Sequence, residues 1–136
     1  MLALPSGAHV WVAAGVTDMR KGFNSLAALC EDNLKLDPYS GHLFVFRGRR
    51  GDLLKIIFWE GNYGSGACLF TKRLERGGFV WPHAIEGKIH ITSAQLSMLL
   101  EGIDWRTPER AHGVLSGRVK LGLFYRLGIP KYGLIC

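Results

Sequence analysis

Three apolar segments separated by glycine-containing turns constrain the fold more than any other feature of this sequence. The segments are "HLFVFRG" (42–48), "LLKIIFWE" (53–60) and "ACLFTKRLE" (67–75), and their connectors are "RRGD" and "GNYGSG". β-Branched and aromatic residues dominate the segments, and glycine in the short connectors permits tight reversals of the chain. The middle of the chain is therefore predicted to form an antiparallel β-meander.

The sequence before the meander predicts a strand followed by a helix. The strand is "HVWVAAGV" (9–16), and the helix lies within "TDMRKGFNSLAALCEDNL" (17–34), whose apolar residues recur at helical spacing. Thr17 and Asp18 are residue types that favour the start of a helix, so we place its first turn there.

After the meander, a short strand is predicted at "KIHIT" (88–92) and a second helix within "TSAQLSMLLEGIDW" (92–105). Thr92 and Gln95 have the spacing of a capping box, and Gly102 supplies the C-terminal stop.

These elements predict an α+β fold with the order β-α-β-β-β-β-α. The sheet is expected to be mainly antiparallel, with the two helices packed on one of its faces. One compact domain is expected over residues 1–106, followed by a basic C-terminal extension over 107–136 to which the sequence assigns no structure.

Positive charge is concentrated in two parts of the chain. The formal net charge is +6 and the isoelectric point is near 9.5. Residues 47–76 hold seven basic and three acidic residues, and residues 106–136 hold six basic and one acidic, while the remainder is net negative. Segregated positive charge favours a polyanionic partner, although a basic surface also serves solubility.

Several functional classes are disfavoured by what the sequence lacks. No apolar stretch approaches the roughly 18 residues of a membrane span, and the N-terminus lacks the basic region of a signal peptide. Histidine spacing indicates no metal site, and no nucleophile elbow, zinc-protease motif or phosphate-binding loop is present. We therefore predict a cytoplasmic protein that is not an enzyme and needs no metal or cofactor.

The first meander turn carries more charge than a turn requires. Gly48 and Gly51 account for the reversal in "FRGRRGD", yet Arg47, Arg49 and Arg50 surround them. Arginine at such a position pairs well with phosphate groups. The turn is therefore the leading candidate for a nucleic-acid contact.

Two further segments extend this candidate surface. Alternation along 53–60 places Lys55, Ile57 and Trp59 on an outer face, with Leu54, Ile56 and Phe58 facing the core. "KRLERGGFVWP" (72–82) then interleaves basic with aromatic side chains, which fits either a continued basic surface or a strand end with a core tryptophan. The residues of interest there are Lys72, Arg73, Arg76, Phe79 and Trp81.

Four motifs together resemble one known family. "VTDMRKGFNSLAAL", "DPYSGHLFVFRGRRGDLLKIIFWEG", "CLFTKRLERGGFVWP" and "SAQLSMLLEGIDWR" are similar, in this order, to the small TnpB accessory protein of the sixty-six-type family of bacterial insertion sequences. The resemblance implies a non-catalytic partner in transposition, since a separate, larger protein of such an element carries the catalytic residues. It also adds Arg20 and Lys21 of "TDMRKG" to the candidate basic residues. Residues 107–136 do not resemble the family's short ending.

Two functions therefore compete. In the first, the protein binds DNA at the ends of the transposon and associates with the nucleoid, using a track formed by Arg20, Lys21, Arg47, Arg49, Arg50, Lys55, Lys72, Arg73 and Arg76. In the second, it is an adaptor that docks the catalytic transposase, with Trp59, Phe79 and Trp81 as interface anchors. A metal-dependent nuclease is a weaker third alternative. An exposed meander edge would also permit pairing with a second copy of the chain.

Overall fold

The computed structural model describes residues 7–61, 64–83 and 87–106. Within them the chain forms one five-stranded sheet, two α-helices and one π-helical segment. In chain order the elements are β1 (Val10–Val16), α1 (Phe23–Leu29), the π-helix (Cys30–Leu34), β2 (Leu43–Arg47), β3 (Leu53–Glu60), β4 (Gly66–Arg73), β5 (Lys88–Ile91) and α2 (Ser93–Leu100).

The sheet is mixed, with the spatial order β4-β3-β2-β1-β5. The predicted meander is confirmed, because β2 pairs antiparallel with β3 (Phe44 opposite Ile57) and β3 with β4 (Ile56 opposite Phe70). β5 also pairs antiparallel, with β1. β1 and β2 are parallel, so the sheet is mainly but not purely antiparallel. The intervening helix carries the chain back to the starting edge, as a parallel pair requires.

The α+β class is confirmed, but the prediction that both helices pack on one face is wrong. Leu54 and Ile56 of β3 lie in one buried cluster with Leu96 and Leu99 of α2. Ile57, which points the other way, lies in a second cluster with Leu26 of α1. The sheet is therefore covered on both faces, which explains the nearly continuous apolar runs in its central strands.

The first helix begins later than predicted. Phe23 is its first residue and Gly22 occupies the N-cap position without a side-chain hydrogen bond. Asp18 instead forms a local turn, accepting a hydrogen bond from the backbone N–H of Arg20 at 2.9 Å. The π-helical segment after α1 ends where Lys35 adopts a left-handed backbone conformation, with φ of 57°.

The second helix begins and ends as the sequence indicates. The Thr92 side chain accepts from the backbone N–H of Gln95 at 3.1 Å, and the Gln95 side chain accepts from the Thr92 N–H at 2.9 Å. This reciprocal pair confirms the capping box. At the other end Gly102 has φ of +75°, a left-handed geometry that suits glycine after a helix.

The predicted extension over 107–136 falls outside the described residues. No helix in the described ranges combines the length and apolar character needed to cross a bilayer.

Candidate nucleic-acid interface

The turn between β2 and β3 projects two arginines into solvent. The Gly48 N–H donates to the Leu53 carbonyl at 2.9 Å, and the Gly51 N–H donates to the Gly48 carbonyl at 3.2 Å. Gly51 has φ of +78°, which glycine adopts without steric cost. Arg49 and Arg50 lie at the exposed tip of this closed turn.

A second segment, residues 17–22, packs directly against this turn. The Thr17 N–H donates to the Arg47 carbonyl at 2.8 Å. A Cβ atom added to Gly48 would lie 2.8 Å from Cγ of Met19, so the methionine packs on the bare backbone of the glycine. This close approach places Arg20 beside the hairpin tip, at the rim of the same cleft.

The end of β4 supplies the third wall. Arg73 pairs in register with Leu53, the first residue of β3. The three segments enclose an open cleft of about 550 Å³. Its lining includes four arginines, two aspartates and three apolar residues: Arg20, Arg49, Arg50, Arg73, Asp18, Asp52, Val16, Met19 and Leu53. We refer to it as the arginine cleft.

Two carboxylates orient three of the four arginines. Asp18 forms a fork with Arg20, with Nη2 to Oδ2 at 2.8 Å, and this guanidinium holds the pKa of Asp18 well below its usual range. Oδ2 of Asp52 lies 3.3 Å from Nη2 of Arg50 and 3.8 Å from Nη1 of Arg73. Arg49 has no acidic partner among the described residues. Four cations and two anions leave the cleft with a net charge of +2.

Arg47, predicted to share the tip with its neighbours, lies on the opposite face of the sheet. Its guanidinium carbon sits 5.5 Å from the centre of the Trp81 ring, an arrangement that favours a cation–π contact. Its Nε is buried and has no hydrogen-bond partner within the part of the chain that the structure describes. Arg47 therefore packs beneath the turn and does not line the cleft.

Two of the three lysines of the predicted track bind backbone carbonyls through their side chains. Nζ of Lys55 donates to the Lys21 carbonyl at 2.9 Å, and Nζ of Lys72 donates to the Leu100 carbonyl at 2.7 Å. The second bond places a positive charge at the C-terminal end of α2, where the helix dipole favours it. Because α1 covers the face predicted to be outer, the continuous cationic sheet face does not form, and that prediction is wrong.

The remaining basic predictions also lie outside the arginine cleft. Arg76 is exposed in the segment that follows β4, and Lys21 is half-buried beside Arg20. Neither lines the cleft.

Phe79 and Trp81, predicted as interface anchors, belong to the core. They are 6% and 8% exposed, and their rings meet edge to face at 5.8 Å. They also tie down the arginine turn, because the Phe79 N–H donates to the Gly51 carbonyl at 2.9 Å and Nε1 of Trp81 donates to the same oxygen at 3.2 Å. A third bond joins the Leu74 N–H to the Asp52 carbonyl at 2.8 Å. Residues 74–81 thus form a strap across the back of the turn.

A separate aromatic group lies at the other end of β3. Trp59 is half-buried and meets Tyr39 edge to face, with 5.4 Å between the ring centres. The ring centres of Tyr39 and Phe23 lie 6.3 Å apart. Tyr39 is 50% exposed, which is high for a large ring. Sequence reasoning missed it because it follows the proline of the turn "DPYSG", where a loop tyrosine gives no periodic signal.

Three histidines that are scattered in sequence lie together in space. His9 lies 4.9 Å from both His42 and His90, measured between ring centres. Burial and the two neighbouring imidazoles lower the pKa of His42. No group of histidine, cysteine or carboxylate side chains among the described residues has the geometry to hold a metal ion.

Comparison with known proteins identifies the family. Residues 8–110 match the family described as "IS66 Orf2 like protein". A Sinorhizobium fredii protein, "Uncharacterized protein y4hO", is 60% identical over 108 residues, covering 78% of this chain and 91% of that protein. A second protein from the same organism, "Uncharacterized protein y4jC", is 40% identical over 110 residues, which cover 81% of this chain and 92% of that protein. No solved structure matches the chain.

The match covers every described element of the domain, including all three segments that enclose the arginine cleft. The chain therefore belongs to the IS66 Orf2-like family of insertion-sequence proteins, which indicates an accessory role in transposition.

Proposed function

We propose that this protein is a non-catalytic DNA-binding accessory factor, which contacts the ends of its insertion sequence together with the catalytic transposase. One observation carries the proposal: arginines from three separate segments converge on a single open cleft. Arg20 comes from the segment before α1, Arg49 and Arg50 from the hairpin tip, and Arg73 from the end of β4.

Arginine is the side chain best suited to phosphate, because its planar donors match two phosphate oxygens at once. The cleft's own carboxylates do not neutralise it, and no described acidic residue pairs with Arg49, so its charge is available to a ligand. Exposed guanidinium groups also lose little hydration energy when they exchange water for a phosphate. Contacts of this kind position a protein on DNA without reading its sequence.

The first test is a salt series of DNA binding. The probe is a fluorescent duplex carrying the terminal repeat of the element, with a scrambled duplex beside it. The variant Arg49→Gln/Arg50→Gln removes two cleft charges, and Lys35→Gln/Arg76→Gln removes two exposed charges outside the cleft. The slope of log K against log salt falls in magnitude by about 2 in the cleft variant if the two arginines meet separate phosphates, and by about 1 if they share one.

The control variant should retain a slope close to that of the wild type. Equal losses in the two variants would show that net charge alone drives binding, and the cleft proposal would fail. Tighter binding to the terminal repeat than to the scrambled duplex would add end recognition.

The aromatic group at the far end of β3 favours a second candidate, an adaptor that docks the transposase. Tyr39 offers an exposed ring whose position is fixed by Trp59 and Phe23, and pre-ordered aromatic side chains are typical of interface hot spots. Tyr39→Ala should then weaken capture of the purified transposase while leaving the salt slope for DNA unchanged. Loss of capture with Arg49→Gln/Arg50→Gln and not with Tyr39→Ala would exclude this surface.

A further inference from the structure

The arginine cleft differs from a surface that follows a DNA duplex. Proteins that track a duplex backbone neutralise about six to ten phosphates along it. Here the lysines that would have extended the track, Lys55 and Lys72, bind backbone carbonyls on opposite faces of the sheet. Among the described residues, the charge that lines the cleft is local and matches one or two phosphates.

Part of the cleft lining is apolar. It consists of Val16, Met19 and Leu53, which line the cleft together with the arginines and which we call the apolar wall. Val16 is 53% exposed, and only one other large apolar side chain, Tyr39, is comparably exposed in the described ranges. A phosphate group gains nothing from contact with apolar side chains, because it binds through charge and hydrogen bonds alone. A base or a deoxyribose ring would cover the apolar wall.

The carboxylates of the cleft are compatible with a base. Asp18 and Asp52 repel phosphate at short range, yet a carboxylate accepts hydrogen bonds from donors on an unpaired base, such as the ring N3–H of thymine or the exocyclic amino group of cytosine. Guanidinium planes also stack on bases, which adds a second base-directed contact.

From these features we propose that the arginine cleft takes one nucleotide of an unpaired DNA strand. Its phosphate would meet Arg49 and Arg50, and its base would lie against Val16 and Met19. A base inside an intact duplex is stacked and cannot enter a recess, whereas a base in a single strand can leave the stack at low cost. The cleft volume of about 550 Å³ is within the range of small-molecule sites. This inference rests on the proposed DNA binding and specifies the form of DNA.

The test compares three fluorescent probes that share one duplex. The first is blunt, the second carries a five-nucleotide thymidine tail, and the third carries a five-unit abasic tail with the same phosphates and no bases. Stacking of a single base contributes enough for the thymidine tail to bind at least about five-fold more tightly than the blunt duplex. The abasic tail should lose most of that gain.

Equal affinity for the blunt and thymidine-tailed probes would overturn the inference and leave the proposed function intact. An abasic tail that binds as well as the thymidine tail would overturn the base contact. Failure to bind any of the three probes would overturn the proposed function itself. Displacement of the tailed probe by a polyglutamate peptide as effectively as by single-stranded DNA would assign the cleft to an acidic peptide and overturn the inference.

Protein variants locate the base contact. Val16→Ser makes the exposed member of the apolar wall polar, and Val16→Ile keeps it apolar. The ratio of affinities for thymidine-tailed and abasic-tailed probes should fall several-fold toward one in the serine variant and persist in the isoleucine variant. An unchanged ratio in Val16→Ser, measured with a melting temperature equal to that of the wild type, would show that the base does not contact the apolar wall.

Discussion

Gly48→Ala tests the close packing that builds the arginine cleft. The new Cβ would lie 2.8 Å from Cγ of Met19 and 3.4 Å from the Leu53 carbonyl oxygen. Ordinary contacts begin near 3.4 Å, so the methionine must retreat by about 0.6 Å. Overpacking of this kind costs about 1 to 3 kcal/mol. The retreat also shifts residues 17–22, which hold Arg20, away from the hairpin.

The assay is a double-mutant cycle of unfolding free energies with Met19→Ala as the second change. Removing the methionine side chain makes room for the new methyl group, so Gly48→Ala should cost markedly less in that background. Gly61→Ala is the matched control, because its Cβ would meet its nearest neighbour, Cδ1 of Trp59, at 3.9 Å. An equal cost of Gly48→Ala in both backgrounds would refute the steric argument, as would a cost no larger than that of the control.

Three further predictions concern a cap, a thiol and the strap. Thr92→Ala should lower the unfolding free energy by about 1 kcal/mol through loss of the capping box, and Thr92→Ser should restore most of it in chemical denaturation. Burial raises the pKa of Cys30 from 9.0 to about 12, so the folded state keeps a proton that the unfolded chain releases. The free energy of unfolding should therefore fall as pH rises from about 9 toward 12, by less in Cys30→Ala, and mass spectrometry should find Cys30 unalkylated at pH 8 until the protein unfolds. Trp81→Phe removes the bond to the Gly51 carbonyl, should cost about 1 kcal/mol in thermal unfolding, and should weaken DNA binding without changing the number of charges.

Local patterns predicted the elements whose causes are local. The meander follows from apolar strands joined by glycine turns, and the boundaries of α2 follow from Thr92, Gln95 and Gly102. The start of α1 was wrong because Asp18 is suited to a turn as well as to a helix cap. Its carboxylate accepts from Arg20 two residues later, and the helix then begins without a side-chain cap.

Side-chain alternation failed where lysine was taken as a mark of solvent. Lys55 shares its face of β3 with Ile57, which is completely buried under α1. A lysine can lie on such a face because its long apolar stem packs while its ammonium reaches a polar group at the edge. Here that group is the Lys21 carbonyl, 34 residues away, and no local pattern indicates it.

The site was predictable only in part for the same reason. The turn sequence predicted that Arg49 and Arg50 lie at an exposed hairpin tip. The cleft itself depends on contacts between segments distant in sequence, which no local pattern predicts. The apolar wall of Val16 and Met19 gave no signal, because an exposed valine at a strand end looks like any other strand residue. Whether the cleft binds DNA stays a prediction that the salt series decides.

Phe79 and Trp81 support the proposed function from within the core, because the strap that contains them holds the arginine turn in place. A hairpin tip with two glycines should be mobile, and mobile arginines lose conformational entropy on binding. The strap counters this, because three hydrogen bonds from residues 74–81 hold the backbone of the turn and Trp81 packs against Arg47 below it. Strand β4 ends in Arg73 and leads directly into the strap, so one continuous segment both contributes a cleft arginine and holds the turn that carries Arg49 and Arg50. Trp81→Phe should therefore weaken DNA binding by loosening the turn, with the salt slope unchanged because no charge is lost. Arg49→Gln/Arg50→Gln should weaken binding by removing phosphate contacts, which also lowers the magnitude of the salt slope. A lower affinity with an unchanged slope in Trp81→Phe would show that Trp81 acts by positioning the arginines and not through charge.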